Sequence, residues 1–193
     1  MIENIGKPEF KHLSNPSKDV LIILEKLVKE KKNPLTVAEI GVGIGATSVE
    51  IVKRLRECDS FHFFSYADEV QRLLEDLQSA EFCSCKLVPW GNSRKRLDSY
   101  NWNLAKIILG QSQRHGIYDL VYLDGGHSLL VSGLGCVLLK ELVCPGGYLV
   151  FDDVGWVMAG KIGVDPIYCP ATAENFTEEQ INTPQLIWLS ICL

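Results

Sequence analysis

Residues 37–48 have the sequence Val-Ala-Glu-Ile-Gly-Val-Gly-Ile-Gly-Ala-Thr-Ser, in which an apolar run leads into three alternating glycines and a helix-like pattern. This order predicts a buried parallel strand, a tight turn and the N-terminus of a helix. Glycines in such a turn permit positive φ angles and leave the backbone open to a ligand, which the free amides of the first helical turn then face. Open α/β sheets bind nucleotide-like ligands at this kind of junction, so the stretch predicts a binding site.

Two further features favour a ligand site over a turn whose glycines serve only close packing. Glu39 lies two residues before the first glycine, and a carboxylate buried there needs a cationic partner. Residues 118–127 have the sequence Tyr-Asp-Leu-Val-Tyr-Leu-Asp-Gly-Gly-His, which is a second strand pattern that ends in an acid and glycines. Both features strengthen the interpretation of the glycine turn as a binding site.

The composition is that of one globular domain that binds a small molecule. The chain has 193 residues, of which 47% are hydrophobic and 22% charged. A formal net charge of −5 disfavours nucleic acid as a partner. Seven cysteines, mostly in apolar runs and without a signal-peptide pattern, predict reduced thiols in a cytoplasmic protein. No apolar run approaches the roughly 20 residues that span a bilayer, so we expect no membrane partner.

Helix and strand patterns alternate along the chain, which predicts an α/β fold with a Rossmann-like, doubly wound, mostly parallel sheet and helices on both faces. We expect a single domain over residues 1–193, with an N-terminal arm and helix at 1–33, a cofactor-binding core at 34–155, and a substrate loop with a last strand at 156–193. The predicted helices are 18–31, 47–57, 68–79, 97–114 and 129–143. The predicted strands are 35–40, 61–64, 85–90, 117–124, 148–153 and 185–192, with a turn at 144–147 before the fifth.

Three motifs follow one another in order: Glu39-x-Gly41-x-Gly43-x-Gly45, the stretch 118–127, and Pro-Gly-Gly-Tyr-Leu-Val-Phe-Asp-Asp at 145–153. In this combination the chain resembles the class I S-adenosylmethionine-dependent methyltransferases over about residues 35–155. It is most similar to the small O-methyltransferases that use a divalent metal. The resemblance implies an enzyme that transfers a methyl group to an oxygen of a small molecule with a hydroxyl group. It also implies an antiparallel strand near the C-terminus.

The resemblance assigns most of the cofactor contacts to strand ends. Glu39 and the backbone of Gly41, Gly43 and Gly45 would hold the methionine part of S-adenosylmethionine, with Asp124 nearby. Asn92 and Ser93 would contact the adenine, although a plain turn before a helix explains them almost as well. The family usually ends its second strand with an acid for the ribose. Here Ser65 or Tyr66 takes that place, and Asp68 would either reach back or cap the next helix.

The resemblance also implies a metal site and a base. Asp124, Asp152 and Asp153 match the family's acidic metal ligands, and hard oxygen ligands of this kind suit Mg²⁺ or Ca²⁺. In the alternative, Asp152 caps the next segment and Asp153 is solvated. His127 stands where related enzymes place a lysine base, so Asp124 and His127 are the predicted catalytic residues. A helix-start histidine that bonds to a loop is the competing explanation.

Two other functions compete with methyl transfer. Gly41-x-Gly43-x-x-Ala46 also satisfies the fingerprint of NAD(P)-binding oxidoreductases, but the acid expected near residue 61 is missing. A catalytically silent, methyltransferase-like binding protein is favoured by the irregular end of the second strand. If no strand is hidden in residues 161–168, the open sheet edge would suit a homodimer. The basic run Arg94-Lys95-Arg96 is expected to be a solvated first helical turn or loop, and His62 a core or sheet-face histidine without a role.

Overall fold

The computed structural model describes residues 1–111, 116–161 and 164–184. In these ranges it has a five-stranded sheet in which every pair of neighbouring strands is parallel, with the strand order β3-β2-β1-β4-β5. The strands are β1 (Thr36–Ile40), β2 (Ser60–Tyr66), β3 (Lys86–Asn92), β4 (Tyr118–Leu123) and β5 (Val143–Phe151). The α-helices are α1 (Lys18–Glu30), α2 (Ala46–Val52), α3 (Ala67–Gln78), α4 (Tyr100–Gly110), α5 (Leu134–Leu142), α6 (Pro170–Asn175) and α7 (Glu178–Asn182).

Helices cover both faces of the sheet, which confirms the predicted α/β fold. One apolar cluster joins α1, α2 and α3 to the sheet through residues such as Leu24, Ile51 and Leu73. A second cluster joins α4 and α5 to the sheet through Leu104 and Leu139. Because successive strand residues point to opposite faces, a doubly covered strand is apolar throughout, and β4 is buried along its whole length.

The chain reverses its direction of strand addition between β1 and β4. It passes from β1 outward to β2 and β3, then returns to place β4 on the other side of β1. Such a switch point opens a crevice at the carboxyl ends of the two strands, because the following helices lie on opposite faces. Ile40 pairs with Leu123 at this end, so the glycine turn after β1 and Asp124 after β4 leave the sheet side by side.

The predicted turn at 144–147 is wrong, because β5 already begins at Val143. Tyr118 pairs with Val143, but two residues later Leu120 pairs with Tyr148, so β5 contains extra residues in an irregular bulge. Gly146 has a φ of +77°, a conformation that glycine adopts without strain. The Pro-Gly-Gly sequence therefore bends the last strand of the described sheet instead of ending a helix before a new strand.

Two predicted helices are shorter than their apolar patterns suggested. The one predicted at 47–57 ends at Val52, and the buried carboxylate of Asp59 accepts hydrogen bonds from the amides of Leu35 and Arg56, which holds the chain in a loop. The one predicted at 97–114 starts at Tyr100, where the Ser99 side chain caps the helix.

The predicted last strand at 185–192 lies outside the described residues. Residue 161 has no regular secondary structure and residues 164–168 form turns and a bend, so within the described part of 161–168 there is no hidden strand. The described sheet is parallel throughout and does not contain the expected antiparallel strand. Among the helices in the ranges that the structure covers, none has both the length and the apolar character needed to cross a membrane.

Candidate functional site

The three glycines of the turn after β1 all have positive φ angles, but their surroundings differ. A Cβ atom on Gly41 would lie 2.1 Å from the carbonyl oxygen of Asp124, and one on Gly45 would lie 3.0 Å from Leu73 Cδ1. Close packing against backbone therefore requires glycine at position 41, whereas the neighbours of Gly45 are the ends of flexible side chains, which can shift. Gly43 has a φ of +50°, and a Cβ atom there would meet nothing within 4 Å. Of the three, Gly43 is the position with open space beside the backbone.

Glu39 is buried in the strand that leads to this turn, with 2% of its surface exposed. The hydroxyl of Ser48, in α2, donates a hydrogen bond to Glu39 Oε2 at 2.5 Å. Burial raises the pKa of Glu39 to about 8, and the negative charge of Asp124 acts in the same direction. Among the described residues no cationic side chain lies within ion-pair distance of Glu39, so the site holds a carboxyl group that lacks a countercharge.

The end of β2 carries its acidic groups on the following helix. Ser65 donates a hydrogen bond to Glu69 Oε2 at 2.5 Å, and the Arg94 guanidinium donates to Asp68 at 3.1 Å and to Glu69 at 2.9 Å. Arg94 also stacks on the Tyr66 ring at 4.1 Å. Asp68 lies inside the first turn of α3 and is not its N-cap residue, which is Tyr66, and the hydrogen bond from Arg94 lowers the pKa of Asp68. Arg94 is therefore a partner of this acidic pair and not a freely solvated residue of the basic run.

The two residues predicted to contact adenine are engaged with their own loop. Asn92 is buried at the end of β3, and its amide donates to the carbonyl of Ser93 at 3.2 Å. The backbone amide and the hydroxyl of Ser93 both donate to Asp98 Oδ2 at 2.6 Å. Of the two, Asn92 faces the cleft described below.

A tyrosine connects two of the predicted metal ligands. The Tyr122 hydroxyl is within hydrogen-bond distance of Asp152 Oδ2 and lies 3.3 Å from Asp124 Oδ2. The backbone amide of Asp153 donates to Asp152 Oδ1 at 2.8 Å. Both oxygens of Asp152 thus have a protein donor. Burial, together with the charges of Asp152 and Asp153, raises the pKa of Asp124 to about 7.

The carboxylates at the strand ends form a cluster with His127. Its Nε2 atom lies 3.9 Å from Asp124 Oδ1, and its Nδ1 atom lies 4.0 Å from Asp153 Oδ2. One ligand atom from each of Asp124, His127 and Asp153 falls within 4.8 Å of the others. The Nδ1 atom is buried without a hydrogen-bond partner, and His127 has a φ of +37°. The structure therefore groups His127 with two of the predicted metal ligands, while Tyr122 and the backbone hold the third, Asp152.

A cleft of about 800 Å³ runs along the carboxyl edge of the sheet. Its wall includes five of the residues predicted from the sequence: Gly41, Ser65, Asn92, Asp124 and His127. It also includes residues from the β3–α4 loop, the segment after β4, and Phe176 near the C-terminal helices. The cleft therefore brings together the ends of β1, β2, β3 and β4. The remaining predicted residues are outside this wall: Glu39, Gly43, Gly45, Asp68, Ser93, Asp152 and Asp153.

The sequence interpretation missed Ser48, Glu69 and Tyr122, and it left Arg94 without a partner. Tyr122 lies two residues before Asp124, so the twofold period of a strand would have placed both side chains on one face. Glu69 lies four residues after Ser65, but only the start of α3 at Ala67 brings it back to the strand end. No short sequence pattern predicts the partners of Arg94, because its two acidic partners are 25 and 26 residues away in the sequence. His62 is half-buried in β2 and not part of the buried core, and its Nδ1 atom is hydrogen-bonded to the Tyr118 hydroxyl at 3.1 Å, as the sheet-face alternative predicted.

Comparison with known proteins shows the same fold. No protein-family model matches the chain, and no curated protein matches it significantly in sequence. The O-methyltransferase TomG from Streptomyces achromogenes, solved in complex with SAM, superposes with a TM-score of 0.54 and 12% identity over 100% of this chain and 76% of TomG.

Two further solved structures have the same fold. A proposed caffeoyl-CoA O-methyltransferase from Staphylococcus aureus has a TM-score of 0.52 and 16% identity over 79% of this chain and 66% of its own. A proposed O-methyltransferase from Klebsiella pneumoniae has a TM-score of 0.53 and 14% identity over 97% of this chain and 73% of its own. Similarities at this level of identity establish the fold: the chain has the fold of the S-adenosylmethionine-dependent O-methyltransferases, as the sequence motifs predicted.

Proposed function

We propose that the protein transfers a methyl group from S-adenosylmethionine to a hydroxyl oxygen of a small molecule. The observation that supports this most is the meeting of the glycine turn and the acidic end of β4 at one cleft, where Gly41 and Asp124 both line the wall. In open α/β sheets this crevice is where ligands bind. The fold shared with O-methyltransferases supports the same reaction.

The residues at the glycine turn fit a positively charged cofactor. Glu39 is buried next to the turn without a cationic partner in the described part of the chain, and Asp124 adds a second acid. S-adenosylmethionine carries an ammonium and a sulfonium group, so the bound cofactor would supply the missing countercharge. Gly43 leaves its side of the turn open. A phosphate-bearing dinucleotide would instead bring negative charge towards these acids. Phe61, at the position where that fold expects an acid, is fully buried in the core.

Methyl transfer requires little covalent chemistry from the protein. The acceptor oxygen forms a bond to the methyl carbon while the bond from that carbon to sulfur breaks, and the sulfur keeps the bonding electrons. The protein contributes by holding the two reactants in line and by excluding water. The hydroxyl proton must also leave. Asp124, with a pKa near 7, and His127 both line the cleft and are the groups that we propose for this step.

We further propose that Asp124, His127 and Asp153 hold a divalent cation. The residues fit such an ion because the imidazole of His127 lies between two carboxylates, Asp124 near its Nε2 atom and Asp153 near its Nδ1 atom. The Nδ1 atom is buried and has no hydrogen-bond partner among the described residues. A cation there would lower the pKa of an acceptor hydroxyl. A neutral imidazole has one nitrogen with a free lone pair, so His127 cannot bind the cation and accept the proton at once. The metal role and the base role of His127 therefore exclude each other, and variants separate them.

A second candidate, a binding protein without turnover, is favoured by the end of β2. The family's ribose-binding acid is replaced by Ser65, and the nearby carboxylates of Asp68 and Glu69 are occupied by Arg94. If this pairing persists, the ribose lacks its usual partner and cofactor affinity is low. This pairing therefore bears on how tightly S-adenosylmethionine binds, whereas formation of a methylated product separates the two candidates.

Isothermal calorimetry tests the proposal. We expect S-adenosylmethionine and S-adenosylhomocysteine to bind with one site per chain and NAD⁺ to give no heat. Mass spectrometry of a panel of phenols, catechols and sugar hydroxyls, incubated with protein and cofactor, then detects a methyl gain of 14 mass units, the mass of CH₂. Cofactor binding without any methylated product would support the binding protein. Binding of NAD⁺ with no response to S-adenosylhomocysteine would refute both candidates.

A further inference from the structure

Five of the residues that line the cleft are basic or apolar and come from the β3–α4 loop and the segment after β4. We call this set the outer wall: Lys95, Arg96, Leu97, Leu130 and Leu134. Its three leucines line the cleft and still expose 95%, 78% and 51% of their surface, in the order Leu97, Leu130 and Leu134. Isolated exposed leucines need no explanation, but three exposed leucines that line one cleft favour the binding of an apolar body there.

Two cations of the outer wall have no acidic partner. The third basic residue of the run, Arg94, pairs with Asp68 and Glu69, but in the described part of the chain neither Lys95 nor Arg96 has a carboxylate within 4.0 Å. The nearest acid in the sequence, Asp98, accepts two hydrogen bonds from Ser93 instead.

The arginine of the outer wall keeps most of its donors available. The Arg96 guanidinium donates a hydrogen bond to the neutral amide oxygen of Asn175 at 2.5 Å, which supplies no countercharge. A guanidinium has five N–H donors in a planar fork that matches a carboxylate or phosphate. Lysines without an ion pair occur elsewhere in the described part of the chain, for example Lys29 and Lys32, but of the three basic residues that line this cleft only Arg94 has an acidic partner among the described residues.

From the outer wall we propose that the methyl acceptor is an organic anion with an apolar body. Its carboxylate, phosphate or sulfonate group lies against Lys95 and Arg96, and its apolar part packs on Leu97, Leu130 and Leu134. Because Asp124 and His127 line the same cleft, the hydroxyl end of this molecule lies at these two residues. That this molecule is the methyl acceptor rests on the proposed function. That the cleft binds an apolar anion rests only on the residues of the outer wall.

A matched pair of fluorescent probes tests the wall without any turnover. The apolar anion 8-anilinonaphthalene-1-sulfonate and the neutral N-phenyl-1-naphthylamine share one aromatic body and differ in the sulfonate. We expect the anion to bind the wild-type protein at least about tenfold more tightly than the neutral probe. The double variant Lys95→Gln with Arg96→Gln should remove that difference and leave the neutral probe unaffected. Leu134→Ser should weaken both probes. The control is Lys29→Gln with Lys32→Gln, two lysines at the end of α1.

Further measurements separate the acceptor from other occupants. Calorimetry with S-adenosylhomocysteine should give the same affinity for the wild type and the Lys95/Arg96 variant. An equal loss of affinity for cofactor and anion would assign the cations to the cofactor's own carboxylate and overturn the proposal. Cosedimentation with phosphatidylglycerol vesicles that depends on Lys95 and Arg96 would assign the wall to a lipid surface, with the same consequence. Equal binding of the two probes by the wild type would refute the anion site whether or not the protein binds S-adenosylhomocysteine.

Discussion

The backbone of Gly41 lies directly against the carbonyl group of Asp124, so that a Cβ atom at position 41 would be 2.1 Å from that oxygen. The amide of Asp124 in turn donates to the carbonyl of Ile40 at 2.8 Å. The glycine turn and the acidic strand end are therefore one packed unit, although more than eighty residues separate them in the sequence. Substitutions in the glycine turn and at the acidic strand end should therefore affect stability and ligand binding differently.

Gly41→Ala should destabilise the fold. The added methyl group would clash with the Asp124 backbone, and the φ of +88° is unfavourable for alanine, so we expect a loss of roughly 2–4 kcal/mol in the free energy of unfolding. Urea denaturation measures it. Gly146→Ala is the matched control, because Gly146 also has a positive φ but open space around it, and should lose about 1 kcal/mol. Equal losses in the two variants would show that packing against Asp124 is unimportant.

Gly43→Val should impair cofactor binding more than folding. Its side chain would enter the open space beside the turn, so we expect S-adenosylhomocysteine affinity to fall at least about tenfold. The backbone strain at a φ of +50° should cost about as much stability as Gly146→Val, which serves as the control. Calorimetry and urea denaturation give the two quantities. Unchanged affinity in Gly43→Val would place the cofactor elsewhere.

Glu39 should make stability depend on pH. Burial raises its pKa in the folded protein to about 8, above the value of 4.5 for an exposed glutamate. The folded state therefore retains the proton longer, and the stabilisation that is complete below pH 4.5 is lost as the pH rises towards 8. Over this range the free energy of unfolding falls by up to about 1.4 kcal/mol per pH unit. Glu39→Gln keeps an acceptor for Ser48 but does not titrate, so its unfolding free energy should fall less between pH 5.5 and 8.5. Parallel pH profiles for the two proteins would contradict the prediction.

The proposed metal site of Asp124, His127 and Asp153 predicts which variants lose the rise in melting temperature that cations cause. Mg²⁺, Ca²⁺ or Mn²⁺ should raise the melting temperature of the wild type, because an ion that binds only the folded state stabilises it. Asp153→Asn and His127→Gln should remove the rise. Asp152→Asn is the control and should retain it, since Tyr122 and the Asp153 amide already engage that carboxylate.

The same variants separate the two roles proposed for His127. If His127→Gln keeps the full metal response but loses about 10²-fold in turnover, His127 is the base that the sequence predicted. If cations also fail to raise the melting temperature of Asp152→Asn, the metal ligands are Asp124, Asp152 and Asp153, as the sequence predicted. Melting temperatures that no cation changes, in the wild type included, would exclude the metal site.

The acidic pair after β2 should control cofactor affinity. We expect Glu69→Gln to weaken S-adenosylhomocysteine binding at least about fivefold, because Glu69 is bonded to Ser65, which lines the cleft where the family places its ribose-binding acid. Glu75→Gln, on the exposed side of the same helix, is the control. Arg94→Gln should tighten binding if Arg94 competes with the ribose for the acids. If neither Glu69→Gln nor Arg94→Gln changes the affinity, the ribose binds without this pair.

Local patterns were enough to predict the sheet and the strand ends that carry the site. Buried parallel strands are mostly apolar along their length, and glycine is the residue that most readily adopts a positive φ after a strand. The turn from Gly41 to Gly45 and the acid at Asp124 are therefore visible in the chain itself. The start of β5 was not predictable in this way. The Pro-Gly-Gly sequence has the composition of a turn, and only the pairing of Val143 with Tyr118 makes it part of a strand.

What the tertiary structure decided is which side chains meet. Tyr122 contacts Asp152 across 30 residues of sequence, and Arg94 reaches Glu69 across 25. Such contacts depend on the order of strands in the sheet, which no local pattern encodes. The sequence therefore determined the fold and placed the acids at strand ends. The structure decided that His127 joins Asp124 and Asp153 while Asp152 is bonded elsewhere, because the direction of a side chain at a strand end is set by the neighbours that pack against it.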